Sequence, residues 1–241
     1  MATLARFVTV SFLVATVASL AGCASVDGAG SGPGAEAPAY RVGDRWVYHA
    51  EDGFLVKTVW DETHEIIAIG AEGTTVRVTK KGPSFDTVRT EQWPAPGLVR
   101  IGAIYDDETR RFVIPLKRYV FPLAAGQSWT QWIDNFNEER KSTGSINHYV
   151  RVRGWEKVTT PAGTFDAVAM YVIARLDDEE FWRYPTECGY TVWYAPSARG
   201  IVKERKEAQY LEKGHGSDGG AGKIRTQSTA VELISFTPGR S

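Results

Sequence analysis

The stretch TTVRVTK, residues 74–80, places Thr75, Arg77 and Thr79 on one face of an extended chain and Val76 and Val78 on the other. A period of two is the mark of a half-buried strand. Strand-like segments of this kind recur along the chain: RWVYHA (45–50), VKTVWDETHEIIAI (56–69), LVRIGAIY (98–105), RRFVIPL (110–116), HYVRVRGWEKV (148–158), FDAVAMYVIAR (165–175), EEFWRY (179–184) and YTVWYAP (190–196). GIVKERKEAQYLEK (200–213) has a charge pattern that suits a helix or a strand, and its place after Arg199-Gly200 among strands favours the strand. GKIRTQSTAVELISF (222–236) reads as the last strand. Turn signals fall between them at Ala71-Glu72-Gly73, Lys81-Gly82-Pro83, Ala124-Ala125-Gly126, Pro161-Ala162-Gly163 and Gly189, and the Gly-rich KGHGSDGGAG (213–222) is expected to be a mobile loop. With no strong helical segment and no fixed repeat, the expected fold is all-β and mainly antiparallel, a curved sheet or incomplete barrel.

The first 22 residues read differently. Arg6 is their only charged side chain, and residues 7–20, FVTVSFLVATVASL, form an uncharged, mostly apolar run. As a helix the run would cover only about 21 Å of a bilayer core about 30 Å thick. A basic start, a short apolar middle and small residues at the end describe a cleaved export signal. Residues 24–38, ASVDGAGSGPGAEAP, hold nothing that builds a core. They read as a flexible tether with a reach of roughly 20–23 Å. The expected organisation is a signal peptide over 1–22, a tether over 23–39 and one β-rich domain over 40–241.

Leu20-Ala21-Gly22-Cys23 resembles the lipobox of bacterial lipoproteins. The resemblance implies that the Cys23 sulfur takes a diacylglycerol, that cleavage follows Gly22, and that the new amino group is acylated by a chain such as palmitate. Several acyl chains on one residue make a stable anchor where one alone holds marginally. The expected lipidation site is therefore Cys23, and the expected setting is the periplasmic side of the bacterial envelope. Ala24, in place of Asp, points to the outer membrane by the sorting rule of enterobacterial lipoproteins.

Without Arg6 the chain keeps 27 basic and 29 acidic side chains. There is no cationic excess to neutralise phosphates, so nucleic acid is not an expected partner. Eight Trp, ten Tyr and ten Phe give ample apolar area for a core. If Cys23 carries lipid, Cys188 has no second cysteine to pair with, and it reads as a small buried apolar side chain.

The search for chemistry gives little. His49, His64, His148 and His215 are scattered, without HExxH or a helical His pair, so no metal site has local support. His64 in DETHE has carboxylates nearby, but a solvated strand face is the simpler reading. There is no G-x-S-x-G elbow, and GGAGK (219–223) lacks the first Gly and the Ser/Thr of a phosphate loop. Asp106-Asp107-Glu108 and Asp177-Asp178-Glu179-Glu180 lack calcium-loop spacing, and 134–140, DNFNEER, reads as a polar loop. No catalytic residue, metal or cofactor is expected. The aromatics Trp129, Trp132, Trp182, Tyr184, Tyr190, Trp193 and Tyr194 either pack in the core or present a face to a ligand or partner, since neighbouring strand residues point opposite ways.

Three longer stretches, YRVGDRWVYHA (40–50), VTTPAGTFDAVAMYV (158–172) and VWYAPSARGIVKERK (192–206), resemble a loosely defined set of bacterial envelope proteins called TapB-like or domains of unknown function. In that set a G-x-x-W-x-Y opening, a PAGTF turn and a WYAP-x-x-G strand pair recur. Here Ala198-Arg199 precedes Gly200 where the set often has a plain Val-Gly. At the level of fold the set is similar to the LolA and LolB lipoprotein carriers, whose incomplete barrel shelters acyl chains, although no lid helix is evident in this sequence. The expectation is a non-enzymatic envelope lipoprotein that binds an apolar ligand or an envelope protein. The alternative is a structural or assembly subunit without a small ligand. An enzyme would need converging His, Asp and Ser residues, which the sequence does not offer.

Overall fold

A computed structural model describes residues 32–53, 57–104, 108–178, 184–211 and 224–240. Twelve strands are joined in sequence order: β1 (Arg45–Asp52), β2 (Thr58–Gly70), β3 (Gly73–Gly82), β4 (Phe85–Trp93), β5 (Leu98–Gly102) and β6 (Arg110–Lys117), then β7 (Ser128–Asn137), β8 (Ser142–Thr160), β9 (Gly163–Asp178), β10 (Thr186–Ala195), β11 (Gly200–Leu211) and β12 (Ile224–Thr237). Each pairs antiparallel with its neighbour, and β1 pairs with β12, so the curved sheet continues to full closure as an up-and-down barrel. All-β and antiparallel is thus what the chain is. GIVKERKEAQYL (Gly200–Leu211) is a strand, as its context favours.

Alternation explains which side chains go inside. On β8 the inward row Ile146, His148, Val150 and Val152 is fully buried, while Arg151 and Arg153 face out. The outer wall carries exposed ion pairs such as Arg77–Glu65 at 3.3 Å and Lys157–Asp166 at 2.8 Å. A lipid-facing barrel carries an apolar band there instead. Register shifts at Val47/Tyr48, Ile66/Ala68, Val152/Gly154 and Trp193/Tyr194 mark bulges. Bulges add the twist and bend that closure needs.

Two joints of the barrel are thin. Between β4 and β5 the ladder is a single pair, Gln92 opposite Ile101. Between β6 and β7 it spans only Arg110–Phe112 against Asn135–Asn137. Side chains stitch both. Lys117 N donates to Gln131 Oε1 at 2.7 Å, Gln131 Nε2 donates to Pro115 O at 3.1 Å, and Trp129 Nε1 donates to Lys117 O at 2.9 Å. At β4–β5, Ala103 N donates to Glu91 Oε1 at 3.3 Å and Arg118 Nη2 donates to Ala103 O at 2.6 Å.

One end of the barrel is closed. Trp46, Ala195, Ala198, Val202 and Leu233 are buried together there, with Tyr40, Ala162, Phe165 and Phe236 packed against them. The three stretches that resemble an envelope family meet in this cluster. Trp46 Nε1 donates to Ala198 O at 2.7 Å, and a Cβ on Gly200 would lie 2.8 Å from the same indole nitrogen. Contacts with the barrel are already made upstream of Tyr40. Ala35 is buried and bridges Leu123, and Trp155 Nε1 donates to Pro33 O at 2.8 Å. Residues 32–39, expected as part of the flexible tether, therefore lie against the barrel.

Further differences concern polar strands. β4 was not expected from the sequence, and β7 runs through Asn137, into the stretch expected as a loop. Their inward positions are mostly polar, Arg89 and Glu91 on β4 and Gln131, Asn135 and Asn137 around Ile133 on β7, so the apolar alternation that announces a strand is broken. EEFWRY falls largely on residues outside those described. Tyr184, its last member, precedes β10 and is exposed.

Candidate functional site

The barrel encloses a cavity of about 320 Å³. Its lining divides into two walls. From β2, β3, β4 and β11 come Glu62, His64, Lys80, Arg89, Glu204 and Lys206. Across from them, β8, β9, β10 and the segment after β5 supply Ile104, His148, Val172, Tyr190 and Tyr194. The second wall belongs to the larger apolar core, which also holds Cys188, fully buried as a small apolar side chain should be.

The charged wall is built from a repeated local device. Residues i and i+2 of a strand share a face, and three strands place opposite partners there. His64 Nε2 lies 2.5 Å from Glu62 Oε1 on β2, Arg89 Nε donates to Glu91 Oε1 at 3.0 Å on β4, and Lys206 Nζ lies 2.8 Å from Glu204 Oε1 on β11. The pairs are also cross-linked. Arg89 Nη2 donates to Glu62 Oε1 at 3.3 Å, Trp93 Nε1 donates to Glu91 Oε2 at 3.0 Å, and Arg118 Nη2 reaches Glu91 Oε2 at 3.8 Å. Lys80 Nζ stands 3.9 Å over the Trp60 ring, a cation–π contact.

Burial on its own raises the Glu62 carboxyl. The His64 hydrogen bond and the charges of His64, Arg89 and Lys206 overcome it and hold the group far below the usual range. Glu91 behaves alike: burial opposes ionisation, and Arg89 and Arg118 outweigh it. Burial pushes the phenols of Tyr48, Tyr119, Tyr190 and Tyr194 well up. They are hydroxyl donors at any physiological pH. His148, buried in the apolar wall with Arg118 adding to the effect, is pushed down to about 3.

Sequence expectations for single residues resolve as follows. His64 is not on a solvated strand face. It lies inside the barrel, against the carboxylate two residues before it. His49 does face solvent and meets Asp61 at 2.9 Å. Tyr190 and Tyr194 point inward, and Trp193 points out to Glu156 Oε2 at 2.9 Å. Trp132 is exposed on the outer wall. Glu108 is a structural acceptor, taking Arg140 Nε at 2.7 Å and Asn137 Nδ2 at 2.6 Å, beside the fully buried Arg110. Cys23, Trp182 and His215 lie outside the described residues. Among the described residues no group of three His, Cys, Asp or Glu could hold a metal ion, and no helix is long and apolar enough to cross a membrane. Sequence reasoning missed the charged wall, whose signal is the triple recurrence of opposite partners two residues apart.

No protein-family model matches the chain, and no curated protein matches it. Solved structures do. One, a candidate lipoprotein from Parabacteroides distasonis ATCC 8503, is 12% identical with a TM-score of 0.51, over 86% of this chain and all of the other. Another, a candidate exported protein with a YmcC-like fold from Bacteroides fragilis NCTC 9343, is 12% identical with a TM-score of 0.48, over 85% of this chain and all of the other. At this identity the likeness is one of fold.

Proposed function

We propose that this chain is a bacterial envelope lipoprotein, anchored through Cys23, whose barrel binds a single-chain amphiphile. The observation that carries the binding reading is the two-walled cavity. A chain needs an apolar wall to lie on, and a polar head needs fixed charges. The lumen offers the first on β8–β10 and the second on β2–β4 and β11. Its volume is at the low end of the 300–1,000 Å³ usual for small-ligand sites, which favours a medium-length chain over a bulky lipid. The purely apolar ligand suggested by the sequence becomes an amphipathic one, because the charged wall would otherwise face hydrocarbon unsolvated.

The anchor reading rests on the lipobox and is supported by the fold shared with a candidate lipoprotein. Placement in the outer membrane follows from Ala24 and belongs to the same proposal. Two measurements test it. Wild-type protein should incorporate an alkyne-tagged palmitate in cells, and Cys23→Ala should not. Continued labelling of Cys23→Ala refutes the anchor. Organic extraction of the natively purified protein should yield a stoichiometric acyl species beyond the covalent one, and an extract without it argues for a structural subunit in place of a binder.

A further inference from the structure

His148 sits in β8 between Ile146 and Val150, and all three are 0% exposed. It faces the cavity from the apolar wall. Among the described residues, neither of its ring nitrogens has a hydrogen-bond partner, although both are buried. On the same wall Tyr194 is 1% exposed, lines the same cavity, and its hydroxyl is likewise buried without a partner among the described residues. Buried polar atoms are almost always satisfied, and each one left unmade costs free energy. Ile, Leu or Phe would fill these positions in a wall meant only for hydrocarbon. Two buried polar groups facing one cavity are places where a ligand group, taking the position of an ordered water, can complete the hydrogen bonding.

The chemistry of the orphans specifies that partner. Imidazole buried in an apolar wall is neutral, with one N–H donor and one bare nitrogen acceptor. The Tyr194 hydroxyl is also both donor and acceptor. A carboxylate or phosphate could only accept, and an ammonium could only donate. A hydroxyl or a secondary amide does both. From the geometry we infer that the ligand is an acyl chain bearing a hydroxyl or amide group along its length, recognised by His148, apart from the head held by the charged wall; Tyr194, six residues along β10 from Cys188, the position level with His148, meets a different part of the chain. This rests on the amphiphile reading above and adds the substituent that the chain must carry.

The test uses full-length protein in lipid nanodiscs, with empty nanodiscs to correct for partition into lipid. Binding is followed by the fluorescence of cavity tryptophans such as Trp60 and Trp93 with three probes: decanoate, 3-hydroxydecanoate and 10-hydroxydecanoate. At least one hydroxy acid should bind about three- to tenfold tighter than decanoate, the worth of one buried hydrogen bond. His148→Leu should bring the ratio of hydroxy-acid to decanoate affinity to about one, whatever it does to decanoate affinity itself. His148→Asn, which retains a donor and an acceptor, guards against a folding defect and should keep part of the preference. If decanoate binds and neither hydroxy acid binds tighter, or if the preference survives in His148→Leu, the inference is overturned while the amphiphile reading stands. If none of the three binds, the amphiphile reading falls and this inference with it.

Discussion

Asp44 and Arg199, 155 residues apart in the chain, form an ion pair in which Arg199 Nη1 lies 2.9 Å from Asp44 Oδ1 and 3.2 Å from Oδ2. Asp44 is fully buried. The same carboxylate accepts Gly239 N at 2.7 Å and Arg41 N at 2.9 Å. One side chain thus ties together the entry to β1, the turn between β10 and β11, and the end of β12. Removing it leaves a partly buried cation and two backbone donors without their acceptor. Asp44→Ala should lower the unfolding free energy by about 3–5 kcal/mol, read from guanidinium denaturation. Arg199→Ala, whose side chain is partly exposed, should cost less.

His148 makes the barrel sensitive to mild acid. Its folded pKa is pushed down from 6.5 to about 3. Between those values the unfolded chain takes up a proton that the barrel refuses, so stability falls as pH drops through that window. From pH 7 to pH 5 the loss should be about 2 kcal/mol. His148→Leu should flatten this part of the profile. Glu62 and Glu91 act lower down. Their carboxyls are held below the ordinary glutamate value of 4.5, so the stability they lend is present above it and lost as pH falls further. Urea titrations of both proteins at pH 7, 6 and 5 isolate the His148 contribution, and points at pH 4 and 3 bring in the carboxylates.

Gln131 substitutes for a missing ladder between β6 and β7. Gln131→Leu fits the space but leaves Lys117 N and Pro115 O without their acceptor and donor. It should cost about 1–3 kcal/mol. It should also raise hydrogen exchange at Lys117 by more than at Val150, deep in β8. Equal changes at both amides would mean global destabilisation and no local seam.

Gly200 is needed for space. Its built Cβ meets Trp46 Nε1 at 2.8 Å and Cε2 at 3.2 Å, so Gly200→Ala pushes the indole off Ala198 O. The expected loss is about 1–3 kcal/mol, with a shift in tryptophan emission as Trp46 moves. Gly126→Ala tests backbone freedom by itself, since its φ is +84° and nothing lies within 4 Å of the added Cβ.

Where a strand has one apolar face, the sequence announces it: β1, β3, β8 and β10 alternate along most of their length, as does β9 after the four consecutive buried residues Ala167–Met170. Reading failed where the inside of the barrel is polar. On β4 the inward residues are Arg89 and Glu91 and Val88 faces solvent, so a rule that puts apolar residues inside finds no strand. His64 was misjudged for the same reason. The family-like motifs were legible as folding devices and proved to be that, since Trp46, Ala162, Phe165 and Ala198 converge at the closed end. The binding wall could not be read from them. Its pairs come from β2 and β4, which flank β3, and from β11, which reaches them only through β12 and β1 at closure, and nothing local in Glu62-x-His64, Arg89-x-Glu91 or Glu204-x-Lys206 says that they will meet.

The pairing of β1 with β12 sets an order of events. Arg45 lies opposite Thr237, so the first strand made waits for the last before one of its edges is covered. Contacts this distant in sequence form slowly, because a long loop must close before they yield anything. Until the segment through residue 237 is available to pair, the row beginning at Arg45 offers open hydrogen-bonding groups to any passing strand. A chain truncated before β12 would keep ten of its neighbouring strand pairings and lack a sealed seam. It should be lost to aggregation in place of accumulating as a slightly shorter barrel.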